Sequence, residues 1–345
     1  MTVALDAKPG RKPYAGLDPD SVLDLLDGLG LRGDGRLLQL NSYENRVFQV
    51  FLEDGQVVVA KVYRPERWSD AAILEEHAFA RELVNADVPV VAPEVLASAE
   101  GGLALLGEPP TLARGSGALA AFRVAVSARH AGRSPELEDS NTLQWLGRFL
   151  GRLHAVGARR DFDHRPSMTP AGFGHPARQR LLDGDFVPDR ERPMWTSWCD
   201  AALAGADRAF AEHRCTTLRL HGDFHPGNIM WREEGPHVVD LDDACNGPAV
   251  QDLWMLLSGD AASMSAQLDL LLSGYRMFRA FDERELALIE PLRTLRMIHH
   301  SAWIAARWDD PAFPAAFPWF GSPAYWSQQA TQLREQVEAM QQSAA

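Results

Sequence analysis

The residues best suited to chemistry lie in Leu220-His221-Gly222-Asp223-Phe224-His225-Pro226-Gly227-Asn228, followed after an apolar stretch by Val238-Val239-Asp240-Leu241-Asp242-Asp243. Two carboxylates and a carboxamide at this spacing suit phosphoryl transfer. Once its charge is neutralised a terminal phosphate is already electrophilic, so the protein must mainly position the partners and hold Mg²⁺. Hard Mg²⁺ selects oxygen ligands, which Asn228 and Asp240 would supply. Asp223 would accept the proton of an acceptor hydroxyl, and Pro226-Gly227 lets the backbone turn tightly enough to bring Asn228 beside it. Asp and Asn in turns also commonly cap backbone groups, so this reading needs support from elsewhere in the chain.

That support comes from the N-terminal third. Lys61 lies in the apolar run Val57-Val58-Val59-Ala60-Lys61-Val62-Tyr63, where a charge needs a partner. Ser69 can cap a following helix on which Ala72, Glu76, Phe79 and Leu83 share one face, so helix phase offers Glu76 as that partner. Glu75, one residue away and facing elsewhere, is the alternative. A strand lysine paired with a helix glutamate is how a kinase holds the α- and β-phosphates of ATP, and H-x-D-x4-N followed by a strand-end Asp is the spacing of its catalytic loop and metal aspartate.

The elements around these residues predict an α+β chain of two lobes, residues 1–126 and 127–345. Val47–Leu52 and Gln56–Tyr63 read as a hairpin turning at Asp54-Gly55. Segments 95–106 and 119–126 read as further strands, with a Gly- and Pro-rich loop at 107–118. From Ser140 the period becomes helical: Leu143, Leu146, Leu150 and Leu153 form one stripe, and Gly147 and Gly151 permit close helix packing. Short strands are expected at 218–221, 229–231 and 237–239. Helices are expected at 251–258, 262–280, 284–307 and 323–341, with an irregular aromatic loop at 308–322.

Composition narrows the function classes. A formal charge of −13 over 345 residues disfavours nucleic acid and suits metal ions with neutral or cationic substrates. No stretch is apolar enough for a membrane span, and Met1–Tyr14 lacks the apolar core of a signal peptide, so a cytoplasmic protein is expected; separately, a monomer is the expected state. The three cysteines form no C-x-x-C couple and read as reduced thiols. His221 reads as a packed loop residue, and His225 as orienting either the loop or a substrate. Asp242 and Asp243 are expected to pair with arginines rather than add to an acidic cleft. His299, His300 and the tryptophans 303, 308, 319 and 326 read as a packed aromatic shell.

His221–Asn228 together with Val238–Ala244 resembles the aminoglycoside phosphotransferase and choline kinase superfamily. The strings Asn41–Val50, Ala60–Trp68, Ile73–Val90 and Leu241–Leu257 resemble more narrowly the bacterial stress response kinase A group. The resemblance spans roughly residues 20–310. It implies a bilobal protein-kinase-like fold with ATP in the cleft between lobes, phosphorylation of Ser or Thr in proteins, and a link to stress. It also implies that Asp223 is the proton acceptor, that Asn228 and Asp240 ligate Mg²⁺, that Ser42 lies over the ATP phosphates, and that Asp252 braces the catalytic loop; Asp252 equally reads as a helix-start carboxylate. Two departures from eukaryotic protein kinases stand out. The segment Asn41–Val47 contains no glycine, and Gly222 replaces the arginine that reads a phosphorylated activation loop. A small hydroxyl compound (aminoglycoside, choline, homoserine or sugar) is the alternative acceptor, and a nucleotide-binding pseudokinase the alternative class.

Overall fold

The structure, a computed structural model, describes residues 13–343. The reading of Met1–Tyr14, and the outermost ends of the two expected lobes, lie largely outside those residues. The described chain forms two compact units, one of residues 13–135 and 226–242, the other of 136–225 and 243–343.

In the first unit six strands make one antiparallel sheet: β1 (Gly33–Leu40), β2 (Arg46–Leu52), β3 (Val57–Val62), β4 (Ala104–Leu106), β5 (Leu112–Arg114) and β6 (Arg123–Ala128), in the order β1-β2-β3-β6-β5-β4. β2 and β3 form the expected hairpin, with Val47 opposite Lys61 and Gly55 at φ +86° in the turn. Alternation along β3 buries Val58, Ala60 and Val62 in one core with Val22, Leu25 and Leu26 of helix α1 (Pro19–Asp27). Lys61 therefore leaves the opposite face. That face is covered by α2 (Asp70–Asn85), whose Ile73 packs with Tyr63, Leu112 and Ala125. Ser69 caps α2 as expected, accepting from Ala72 N at 3.1 Å.

Several expected strands need correction. The segment 95–106 shortens to β4 because Gly101 and Gly102 take positive φ and turn the chain first. The segment 119–126 begins only at β6, since residues 117–122 are a tight turn, and β5 lies inside the stretch read as loop. β1 was hidden by its own composition: two glycines and two charges leave little apolar alternation.

Four further strands, β7 (Leu218–Leu220), β8 (Ile229–Arg232), β9 (Gly235–Val238) and β10 (Cys245–Gly247), pair as β7 with β10 and β8 with β9. The β8–β9 hairpin is bonded into the sheet unit. Val238 N donates to Pro89 O and Val91 N to Val238 O, both at 2.9 Å, and Arg133 and Trp231 exchange backbone hydrogen bonds at 3.0 and 2.7 Å.

The second unit is mainly helical, with α3 (Ser140–Gly157), α4 (His175–Asp183), α5 (Arg192–Glu212), α6 (Val250–Trp254), α7 (Ala261–Tyr275), α8 (Ile289–Ala305), α9 (Ala312–Ala316) and α10 (Pro323–Ser343). The expected helix 284–307 divides into a 3-10 turn, Glu283–Leu288, and α8, whose first turn accommodates Pro291. The helices read at 251–258 and 262–280 stop earlier, at Trp254 and Tyr275, and α9 interrupts the aromatic loop. Trp195 and Trp326 meet edge to face at 5.5 Å, and Trp303, Trp308 and Trp319 pack with Phe313, Phe317 and Phe320, forming the expected aromatic shell. The three cysteines are free thiols. Among the described residues no helix is long and apolar enough to cross a membrane.

The leucine stripe of α3 is fully buried, and α3 packs on α7 at glycine contact distance. A Cβ at Gly147 would lie 2.0 Å from Leu271 O, a backbone atom that cannot rotate aside. Gly147→Ala is expected to lower the unfolding free energy by about 3 kcal/mol, measured by denaturant titration; an unchanged midpoint would contradict this packing.

Candidate active site

Lys61 ion-pairs with Asp240 Oδ1 and Asp242 Oδ1, both at 3.1 Å, and its Nζ lies 5.0 Å from the centre of the Tyr63 ring. Burial alone would push the ammonium's pKa down. Asp240 and Asp242 outweigh it, helped by Tyr63 and Glu76, and the pKa rises well above the ordinary lysine value. The lysine is therefore a fixed cation. Sequence phase pointed to Glu76 as its partner; the ion-pair contacts run to the two aspartates instead, while Glu76, buried in α2, adds a weaker negative field.

Asp242 is held in turn. Its Oδ2 accepts from Asn45 Nδ2 at 3.1 Å and from Arg67 Nη1, so the expected pairing with an arginine is present. Arg64 N donates to Asn45 Oδ1 at 3.1 Å, Arg64 Nε pairs with the Glu44 carboxylate at 3.1 Å, and Tyr14 OH donates to Glu44 O at 2.7 Å. The glycine-free loop between β1 and β2 is thus fixed by its side chains to the segment carrying Asp240. Ser42 sits in that loop, where its Oγ accepts from Asn45 N at 3.3 Å and shapes the turn.

Asn228 and Asp240 share the β8–β9 frame. Val239 N donates to Asn228 O at 3.0 Å, which fixes Asn228 against the residue preceding Asp240. Asp240 itself has φ +63°, a left-handed conformation that costs a non-glycine residue of the order of 1 kcal/mol and is retained where the surroundings enforce it. The donor chemistry fits Mg²⁺. Both side chains offer hard oxygens, and the Asp240 carboxylate, 53% exposed, already holds a cation in the form of the Lys61 ammonium. Among the described residues no three His, Cys, Asp or Glu side chains cluster as a metal site.

Asp223 lies in the helical unit, on the loop after β7. Gly222 there has φ +85°, and a Cβ would meet Asp243 O at 2.2 Å, so only glycine fits. Asp252, fully buried on α6, accepts from the N–H groups of His221 and Gly222 at 2.9 Å each, with His154 Nε2 at 3.0 Å from its Oδ2. Gln251 Nε2 donates to Gly222 O at 3.0 Å. Asp252 is thus a brace for the loop, not merely a helix-start carboxylate. His221 is buried and its Nδ1 accepts from Asp223 N at 3.3 Å, a packing role. Arg296 Nη1, from α8, donates to Asp223 Oδ1 at 2.6 Å, while His225 Nε2 lies 3.4 Å from Oδ2. Burial would raise the Asp223 pKa, but His225 and Arg296 outweigh it and hold the carboxyl well below the usual range. Asp223 is ionised throughout the neutral range. Cys245, close in sequence to these residues, is buried, and burial pushes its thiol pKa up, leaving it inert.

α6 carries its own brace. Val250 N donates to Glu285 Oε2 at 2.8 Å, and burial raises the Glu285 pKa from 4.5 to about 7, the Val250 hydrogen bond lowering it only in part. A carboxyl whose folded-state pKa is raised contributes stability that is complete below about pH 4.5 and is lost as pH rises through 7. Glu285→Gln, which cannot ionise, is expected to gain stability over the parent between pH 5 and pH 8, by roughly 2 kcal/mol. Parallel thermal melts across that range check this; parallel pH profiles for parent and variant would contradict it.

Sequence reasoning missed Asn45, Arg67 and Arg296. Each acts through a partner nearly two hundred or some seventy positions away; Asn45 and Arg67 fall in strings that carry the resemblance, but local spacing does not reveal those contacts.

Residues 36–289 match the family described as “Phosphotransferase enzyme family”. The chain is 43% identical over 326 residues to an Escherichia coli K12 protein named “Stress response kinase A”, with 94% of each covered. It is 42% identical over 324 residues to a Salmonella typhimurium protein named “Serine/threonine protein kinase RdoA”, again with 94% of each covered. Among solved structures it is similar to an amicoumacin kinase in complex with AMP-PNP and Ca²⁺ (TM-score 0.68, 19% identity, 94% of this chain and 95% of that one). It is likewise similar to a microcompartment-associated aminopropanol kinase (TM-score 0.65, 18% identity, 94% and 98%). These two likenesses establish a shared kinase-like α+β fold.

Proposed function

The chain belongs to the phosphotransferase enzyme family, and on that premise we propose that it is an ATP- and Mg²⁺-dependent Ser/Thr protein kinase of the stress response kinase A type. The observation that carries this reading is the Lys61–Asp240 pair, which joins residues 179 positions apart and gathers a fixed cation and an exposed carboxylate in one place. A half-buried ammonium between two aspartates is costly to assemble and serves no packing need. It suits a site where phosphate oxygens arrive.

The residues divide the work as follows. Lys61 turns from Asp240 to the nucleotide phosphates, while Asp242, fixed by Asn45 and Arg67, keeps a carboxylate against the lysine throughout. Asn228 and Asp240 would hold Mg²⁺, which when bound neutralises the phosphate charge that otherwise repels a nucleophile. Ser42, in the side-chain-braced loop, offers its hydroxyl to the phosphates. Asp223 orients the acceptor hydroxyl and takes its proton. A carboxylate of depressed pKa is a weak base, yet a loose transition state makes little of the new P–O bond before the leaving bond breaks, so the proton is lost late and orientation matters more than basicity.

The second reading keeps the chemistry and changes the acceptor to a small hydroxyl compound, as the names of the amicoumacin and aminopropanol kinases suggest. One observation favours protein: the relatives at 42–43% identity are named as stress response and Ser/Thr protein kinases. Purified protein with γ-labelled ATP, offered generic protein substrates and a panel of small hydroxyl compounds, decides the question. Label in protein is expected; transfer confined to a small compound would overturn the first reading, and Mg-ATP binding without transfer to anything would favour a pseudokinase.

A further inference from the structure

Arg296 belongs to no motif, lies some seventy positions beyond the catalytic loop, and yet donates to Asp223: Nη1 to Oδ1 at 2.6 Å. A group meant only to be a strong base would not be placed against a guanidinium, which favours the ionised form and so weakens proton affinity. The arrangement makes sense if orientation is what the carboxylate needs. Asp223 is on an irregular loop whose backbone is pinned by Asp252 and Gln251, but those bonds end at Gly222. Its side chain requires its own restraint. Arg296 comes from the middle of the seventeen-residue α8, a rigid element, and fixes one oxygen. The other oxygen, Oδ2, lies 3.4 Å from His225 Nε2.

We propose that Arg296 is a positioning residue for phosphoryl transfer: it holds Asp223 Oδ1 from α8, so that Oδ2 is presented to the acceptor hydroxyl. This rests on Asp223 being the base. A carboxylate has about four lone-pair sites, so a hydroxyl can bond Oδ2 without displacing the arginine. The titratable and charged groups near Asp223 are His221 and His225 on the loop, Arg296 and His300 on α8, Asp252 on α6, and Asp243 and Cys245 at β10. His300, one turn beyond Arg296, has its pKa lowered by burial and by the guanidinium. His225 and Arg296 are thus the groups that favour the ionised carboxylate.

The test compares Arg296→Gln, Arg296→Lys and Asp223→Asn in steady state from pH 3 to 8.5 with the best protein acceptor. Arg296→Gln should lower kcat about 10- to 100-fold, as expected for a misplaced reacting group, with the KM for ATP within about twofold of the parent. Its acid limb in kcat/KM should move up towards the ordinary carboxylate range, while the parent stays flat there. Arg296→Lys should recover part of kcat and move the limb back. Equal loss in kcat for Gln and Lys with no movement of the acid limb would overturn the proposal, as would a parent-like Arg296→Gln. If Asp223→Asn keeps parental turnover, it is the base assignment itself that fails.

Discussion

Asp223→Asn is expected to cut kcat by about 10²- to 10⁴-fold, the range for removing a positioned base, while the affinity for Mg-ATP stays within about twofold. The asparagine is nearly isosteric and can still accept from Arg296 through its carboxamide oxygen, so the loop should keep its shape. What it loses is the charge that takes the hydroxyl proton. Because Asp252 and Gln251 fix the loop backbone independently of this side chain, a folding defect should not accompany the loss. A matched fall in kcat and kcat/KM for the acceptor would mark an interaction made only in the transition state. Parental turnover in the variant would remove Asp223 from the mechanism.

Asp240→Asn should have the second large effect, of a different kind. It removes a hard anionic ligand and one of the two carboxylates on Lys61. Lys61 retains Asp242, whose other contacts to Asn45 and Arg67 are untouched, so the sheet unit should stay folded. The Mg²⁺ dependence should shift to at least tenfold higher concentration, and kcat should fall by about 10³-fold, several kcal/mol of charge stabilisation being at stake. Titration of activity against Mg²⁺ separates the two terms. An unchanged Mg²⁺ midpoint would mean that the metal is held elsewhere.

The parts of this fold legible in the sequence are those set by local rules. The β2–β3 hairpin follows from two β-branched runs around Asp54-Gly55, α2 from Ser69 and its apolar period, and the α3 contact from two glycines four apart on a leucine helix. The strands that escaped, β1, β5 and β10, are short or polar, and only their long-range partners make them strands. The same limit applies at the site. Asp223, Asn228, Asp240 and Lys61 could be named because spacing and an anomalous charge in an apolar run mark them. Glu76 was chosen as the lysine's partner by helix phase alone, whereas the lysine's ion pairs depend on where β9 brings Asp240 and Asp242. That hairpin joins the sheet unit through Pro89, Val91 and Arg133, contacts no periodicity reveals.

The most direct test of the account is a crystal structure with a non-hydrolysable ATP analogue and Mg²⁺. The expected result has the metal bonded to Asn228 and Asp240, and Lys61 Nζ moved from Asp240 to a phosphate oxygen while still paired with Asp242. A nucleotide bound with Lys61 still closed on Asp240, or a metal that touches neither Asn228 nor Asp240, would contradict it.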